Sequence, residues 1–106
     1  MKVLFICNQG ENRSKTAAEI FETKFETKFT GLYATKPVSE KEVSWADIIV
    51  VMEEEQRIEF VKIFPNLALK KRILCFNMPD TYYYKQPELI RILKIKFKEL
   101  LEPFIE

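Results

Sequence analysis

No histidine occurs among the 106 residues of this chain, and that single absence removes whole branches of chemistry. Ser-His-Asp and Cys-His catalysis, zinc sites that need imidazole and phosphohistidine relays are excluded. Acid–base work has to come from Asp, Glu, Lys, Tyr or Cys. Cysteine is scarce too. Cys7 and Cys75 are the only two, neither a disulfide framework nor a metal knuckle, and they read as free thiols of a cytoplasmic protein. No metal or cofactor is expected. Long apolar runs are missing: residues 3–7 and 48–52 fall far short of a bilayer span, so no membrane partner is expected. One lysine and five apolar residues open the chain, which is not the pattern of a secretory signal. Charge of one sign is lacking as well. Seventeen basic against sixteen acidic residues leave a formal net charge of +1, so no strong field argues for nucleic acid as a partner. What remains is an ordinary globular composition, 47% hydrophobic, and a length that implies one domain over residues 1–106.

The elements follow from periodicity. Residues 2–6 form a first apolar strand, and a helix is expected over 14–29. It carries the repeat F-E-T-K-F-E-T-K-F, with Phe21, Phe25 and Phe29 on one face beside Ala17 and Ala18. Residues 31–35 read as a short second strand. S-E-K-E-V-S-W-A reads as a short helix with Ser39 and Glu42 spaced as a capping box. The β-branched run D-I-I-V-V-M, residues 47–52, has the composition of a central strand buried on both faces. Residues 53–64 read as a helix stopped by Pro65; its opening E-E-E suits the positive end of a helix dipole. Residues 72–76 form a fourth strand, followed by the turn-rich N-M-P-D-T-Y-Y-Y. A last helix opens near Pro87, with apolar positions 89, 93, 97, 100 and 104. The order βαβαβαβα implies an α/β fold: an open four-stranded parallel sheet with helices on both faces, three layers in all.

In such a sheet, ligands bind beyond the carboxyl ends of the strands. Cys7 lies at one such end and Asp80 just past another. Asn8, Gln9, Gly10, Glu11 and Asn12 then lead into the first helix, where successive backbone N–H groups and the helix dipole make an anion cradle suited to phosphate. Gly10 and Asn12 tolerate the left-handed backbone of a tight loop. Arg13 adds a planar fork for two phosphate oxygens. The same surroundings favour the nucleophilic thiolate of Cys7, and Ser14 is placed to donate a hydrogen bond to the sulfur. Two readings of Cys7 stand here, an attacking thiolate or a buried core thiol. Cys75, inside I-L-C-F, reads as core.

C-N-Q-G-E-N-R-S, with cysteine, five residues, arginine and serine, resembles the phosphate-binding loop of the low-molecular-weight protein tyrosine phosphatases. A-D-I-I-V-V-M is similar to that family's third strand and M-P-D-T-Y-Y to its acid loop. The chain looks closest to a compact bacterial branch of the family. It departs in carrying Gln9 and Gly10 where the family commonly has Gly and Asn, Lys15 in place of Pro, and Pro79 before Asp80 rather than after it. The resemblance implies Cys7 as nucleophile, Arg13 as phosphate clamp, Ser14 as hydrogen-bond partner of the thiolate, and Asp80 as general acid. Tyr82 becomes a pocket wall, with Tyr83 and Tyr84 beside it as further candidates to line a slot for an aryl ring or, equally, as turn residues packing at the surface.

The expected function is therefore phosphate-monoester hydrolysis through a cysteinyl-phosphate, on phosphotyrosine in a protein or on a small aryl phosphate. Two alternatives remain open. An arsenate reductase would use the same loop but needs a further thiol to carry away the oxidising equivalent. A non-catalytic module would hold phosphate without turning it over.

Overall fold

Successive side chains of a strand point to opposite faces, and in β1 (Lys2–Cys7) both faces are apolar. Val3, Phe5 and Cys7 point into one core, Leu4 and Ile6 into another. A strand with no polar face has to be central, and in the computed structural model, which describes residues 1–105, it is. Four parallel strands stand in the order β2-β1-β3-β4, with β2 at Glu26–Gly31, β3 at Ile48–Val51 and β4 at Arg72–Cys75. β1 pairs with β2 from Lys2↔Glu26 to Cys7↔Gly31 and with β3 from Val3↔Ile48 to Ile6↔Val51. Helices cover both faces. α1 (Arg13–Phe21) and α5 (Pro87–Lys96) pack on the Phe5 side through Ala17, Ala18, Phe21, Leu89 and Leu93. α2 (Glu40–Trp45), α3 (Glu54–Ile63) and α4 (Pro65–Lys70) cover the other side, led by Val43 and Phe60. The α/β class and the layered parallel sheet are as the sequence implied.

The helix expected over 14–29 is shorter. It ends at Phe21, and the second half of the F-E-T-K repeat becomes strand β2, while residues 31–35 form the strand's last residue and a turn. The four-residue spacing fits a helix locally, but pairing with β1 along six positions wins. Phe25 turns inward to stack against Phe21 and Phe97, at centroid distances of 6.0 Å to each. Phe29, expected on the core stripe, is 38% exposed. Thr27 Oγ1 donates to the Ala18 carbonyl at 2.8 Å and ties the new strand to the helix it was expected to extend.

Pro65 behaves more subtly than its sequence position suggests. Pro65 does stop α3, yet it also opens α4 from the first helical position, where its missing N–H costs nothing. Past α5, a π turn over Phe97–Leu101 widens the helix by one residue. Leu101 rather than Leu100 therefore takes the core position that follows Leu89, Leu93 and Phe97. The capping box on α2 forms as its spacing implied: Glu42 N–H donates to Ser39 Oγ and Ser39 N–H to Glu42 Oε1.

The strand order positions the site. β1 and β3 are neighbours, but the helix after β1 crosses one face of the sheet and the helix after β3 the other. A crevice opens where such connections diverge. Cys7 and Glu53 mark its two lips.

Candidate active site

The loop after β1 is held against the start of the next connection. Tyr33 N–H donates to the Asn8 carbonyl at 2.8 Å and Leu32 N–H to the Cys7 carbonyl at 3.0 Å, extending the ladder past the strand ends. The chain has only two glycines, and they meet here. Gly10 has φ +71°, a left-handed backbone, and a Cβ on it would lie 2.9 Å from Gly31 N. A Cβ on Gly31 would lie 2.4 Å from the Gln9 carbonyl carbon. The loop can curl only because both positions lack a side chain.

That curl turns a backbone donor onto the sulfur. Gly10 N–H donates to Cys7 Sγ at 3.2 Å, and Ser14 Oγ lies 3.1 Å from the same atom. Ser14 Oγ is also 3.3 Å from the Thr30 carbonyl, so its single proton has two acceptors to choose between. Helix α1 starts immediately after the loop, without a side-chain cap and without a carboxylate in its first turn. Its positive end is thus left for an anion.

Arg13 is 1% exposed, and only one of its terminal nitrogens is committed. Nη1 donates to Glu53 Oε1 at 2.5 Å and to the Met78 carbonyl at 2.7 Å. Nη2 stands 3.7 Å from Asp80 Oδ1, and Nε has no protein partner among the described residues. The Nε–Nη2 edge of the guanidinium, the edge that grips two oxygens of an oxyanion, is uncommitted. Glu53 is placed by the end of β3. Gln56, 2% exposed, accepts from the N–H groups of Met52 and Glu53 and donates to Asn8 Oδ1 at 3.0 Å. One side chain thus joins the β3 exit to the β1 exit.

Of the residues singled out in the sequence, Cys7, Asn8, Gln9, Glu11, Asn12, Arg13 and Asp80 line one small cavity of about 50 Å³. Gly10 and Ser14 touch the sulfur itself. Tyr82 packs half-buried on the core and Tyr83 is 77% exposed; neither lines this cavity. Lys15, just inside α1, points away from the loop, its Nζ 4.6 Å above the Tyr84 ring. Glu53 and Gln56 were missed as site residues. Their only advance signal was the E-x-x-Q spacing at the start of a helix, which has the form of a capping box. Glu53, read as a dipole carboxylate, is also the counter-ion of Arg13. Cys75 lies on the opposite face of the sheet from Cys7, and burial pushes its thiol up from the ordinary range. A wider hollow of about 340 Å³ borders the same loop at Gln9, Gly10 and Glu11, with no cysteine in its wall. Among the described residues, no three His, Cys, Asp or Glu side chains are grouped as metal ligands, and no helix is long and apolar enough to cross a membrane.

No family model and no curated protein matches the sequence. Solved structures do match the fold. A low-molecular-weight protein tyrosine phosphatase from T. tengcongensis superposes with a TM-score of 0.71 at 20% identity, over 91% of this chain and 92% of that one. YwlE arginine phosphatase from Geobacillus stearothermophilus gives 0.70 at 16% identity, over 92% and 91%. A YwlE variant with a phosphorylated active-site serine gives 0.72 at 16% identity, over the whole of both chains. The fold of this chain is that of the low-molecular-weight phosphatases, as the resemblance of its loop implied.

Proposed function

We propose that this protein is a cytoplasmic phosphate-monoester hydrolase that works through a cysteinyl-phosphate on Cys7, with phosphotyrosine on a protein or a small aryl phosphate as substrate. The observation that carries the reading is the division of labour within Arg13. Glu53 and the Met78 carbonyl hold Nη1, while Nε and Nη2 are left for an oxyanion beside the sulfur. A buried arginine serving only structure would have its whole fork paired, because an orphaned buried donor costs about 1–3 kcal/mol.

In the first step the Cys7 thiolate attacks phosphorus. The S–P bond forms as the bond from phosphorus to the leaving oxygen breaks, and Asp80 gives that oxygen its proton. The Gly10 amide favours the thiolate beforehand. The Ser14 hydroxyl, turning its proton from Thr30 to sulfur, supports the thiolate again as it departs. In the second step Asp80, now a carboxylate, takes a proton from water as its oxygen attacks phosphorus. The S–P bond breaks, and inorganic phosphate and the thiolate are released. The relative with a phosphorylated active-site serine is consistent with a covalent route on this fold.

Arsenate reduction by an internal thiol pair is disfavoured, because Cys7 and Cys75 face opposite sides of the sheet. A passive phosphate binder would need neither the two donors aimed at sulfur nor Asp80 at the cavity wall. The test is hydrolysis of p-nitrophenyl phosphate and of phenyl phosphate, the poorer leaving group, against pH by wild type, Cys7→Ser and Asp80→Ala. The proposal expects a mildly acidic optimum, no turnover by Cys7→Ser, and a loss by Asp80→Ala of about 10²- to 10⁴-fold on poor leaving groups. Turnover by Cys7→Ser at the wild-type rate would sink it. Phosphotyrosine and phosphoarginine peptides assayed side by side decide the substrate class.

A further inference from the structure

The segment that carries Asp80 spans residues 77–86 and has no regular secondary structure. Its first end is anchored deep: Met78 N–H donates to the Met52 carbonyl at 2.7 Å, and the Met78 carbonyl accepts from Arg13. Asp80 itself is 54% exposed, and its nearest charged partner, Arg13 Nη2, is 3.7 Å away. The anchored end therefore offers the carboxyl the Arg13 charge but no hydrogen bond to fix its direction. The other end is different. It docks on the outer face of α1 through a cluster with no part in the chemistry described so far.

Four contacts make that cluster. The Tyr84 hydroxyl donates to Glu19 Oε1. Lys85 Nζ stands 3.3 Å from the same oxygen. Lys85 N–H donates to the buried Thr16 Oγ1 at 2.9 Å. Lys15 Nζ lies 4.6 Å above the Tyr84 ring, within cation–π range. Lys85 holds φ +55° to reach this arrangement, a left-handed backbone that costs a side-chain-bearing residue energy. Lys15, Thr16 and Glu19 lie on consecutive turns of α1, the helix that begins at Arg13.

We infer that Tyr84, Lys85, Lys15 and Glu19 form a latch that docks the Asp80 segment on α1 and so positions Asp80 over the leaving oxygen. This rests on the phosphatase reading above and adds positioning residues to it. The phosphate cradle and the proton donor are then registered to the same helix, Arg13 at its start and the latch one to two turns on. Charge supports the arrangement: hydrogen bonding from Tyr84, with Lys85 and Lys15 beside it, holds the Glu19 carboxyl below its usual range. The latch therefore keeps its charged carboxylate as the pH falls into the mildly acidic range.

The test uses the full chain as Tyr84→Phe, Glu19→Gln and the control Glu88→Gln, which breaks a comparable exposed ion pair with Arg91 on α5. Each is assayed on p-nitrophenyl phosphate, whose leaving group needs little protonation, and on phenyl phosphate, whose leaving group needs much. A latch that positions the acid predicts a fall in kcat/KM, which reads only the step in which the leaving oxygen departs, of about tenfold on phenyl phosphate, part of the general-acid contribution, with little change on p-nitrophenyl phosphate. Amide hydrogen exchange of residues 77–86 is read on the same variants and should accelerate in both latch variants but not in the control. Equal losses of kcat/KM on both esters, or no loss on either, overturn the positioning role. Unchanged exchange overturns the latch itself. A wild type that hydrolyses neither ester sinks the phosphatase reading instead, and the exchange experiment still judges the docking.

Discussion

Arg13 is costly to bury, and the residues around it show how the cost is met. Its charge is 1% exposed and is balanced by Glu53, itself about one-third exposed, from the strand two places away in sequence order. Removing one partner of such a pair leaves a charge poorly compensated. Glu53→Gln is expected to lower stability by about 1–2 kcal/mol, less than for a fully buried pair because water reaches the carboxylate. The check is the urea midpoint, which should fall at unchanged slope. Turnover should fall with it, since Nη1 then loses its charged partner and the fork its fixed plane. Arg13→Lys keeps the charge but not the fork, and is expected to reduce kcat by about 100-fold or more while leaving fluorescence and circular dichroism native-like. A lysine variant with wild-type kcat would mean that geometry at this position is irrelevant. None of this pairing was legible beforehand. Arg13 was readable from its spacing to Cys7, but a counter-ion forty positions away is a tertiary fact.

At the scale of elements, β2 and the phosphate loop are one construction. Gly31 ends the strand, and the space where its Cβ would be is filled by Gln9 and Gly10. Gly31→Ala is therefore expected to push the loop off its cradle, costing about 1–3 kcal/mol from overpacking and more than tenfold in turnover. Ser39→Ala on α2 makes the contrast. It should cost about 1 kcal/mol through the lost cap with far less effect on kcat than Gly31→Ala, because α2 packs on the face of the sheet opposite the Cys7 side chain. If both variants lost activity in proportion to stability, the loop–strand contact would have no special role. The same region shows why the sequence misled about α1. Phe21, Phe25 and Phe29 sit at helical spacing, and local pattern holds no record of the empty edge of β1 waiting for a partner. Long-range pairing overrode a weak local preference. By contrast β1 and β3 were readable, because continuous apolar runs admit few alternatives to a buried parallel strand.

For the whole molecule, the crevice between the ends of β1 and β3 gathers groups from four places in the chain: the loop after β1, the start of α1, the exit of β3 and the segment after β4. The motif C-N-Q-G-E-N-R-S and the strand order were enough to locate that crevice, since both obey rules that hold across folds. The tyrosine slot was not legible, because where Tyr82 and Tyr83 point depends on how their segment docks on α1. Since four separate parts of the chain converge there, an oxyanion held in the crevice should stabilise all of them together. A ligand at a hundredfold excess over its Kd adds about 2.7 kcal/mol, which for a domain of this size raises Tm by about 10 °C or more. Vanadate, a tetrahedral oxyanion without a leaving group, is the probe. Wild type should show that rise with a logarithmic dependence on concentration. Cys7→Ser should retain much of it, because the cradle and the Arg13 fork remain. Arg13→Ala should lose it. A rise that survives Arg13→Ala would place the anion elsewhere on the surface and remove the fork from the account of binding.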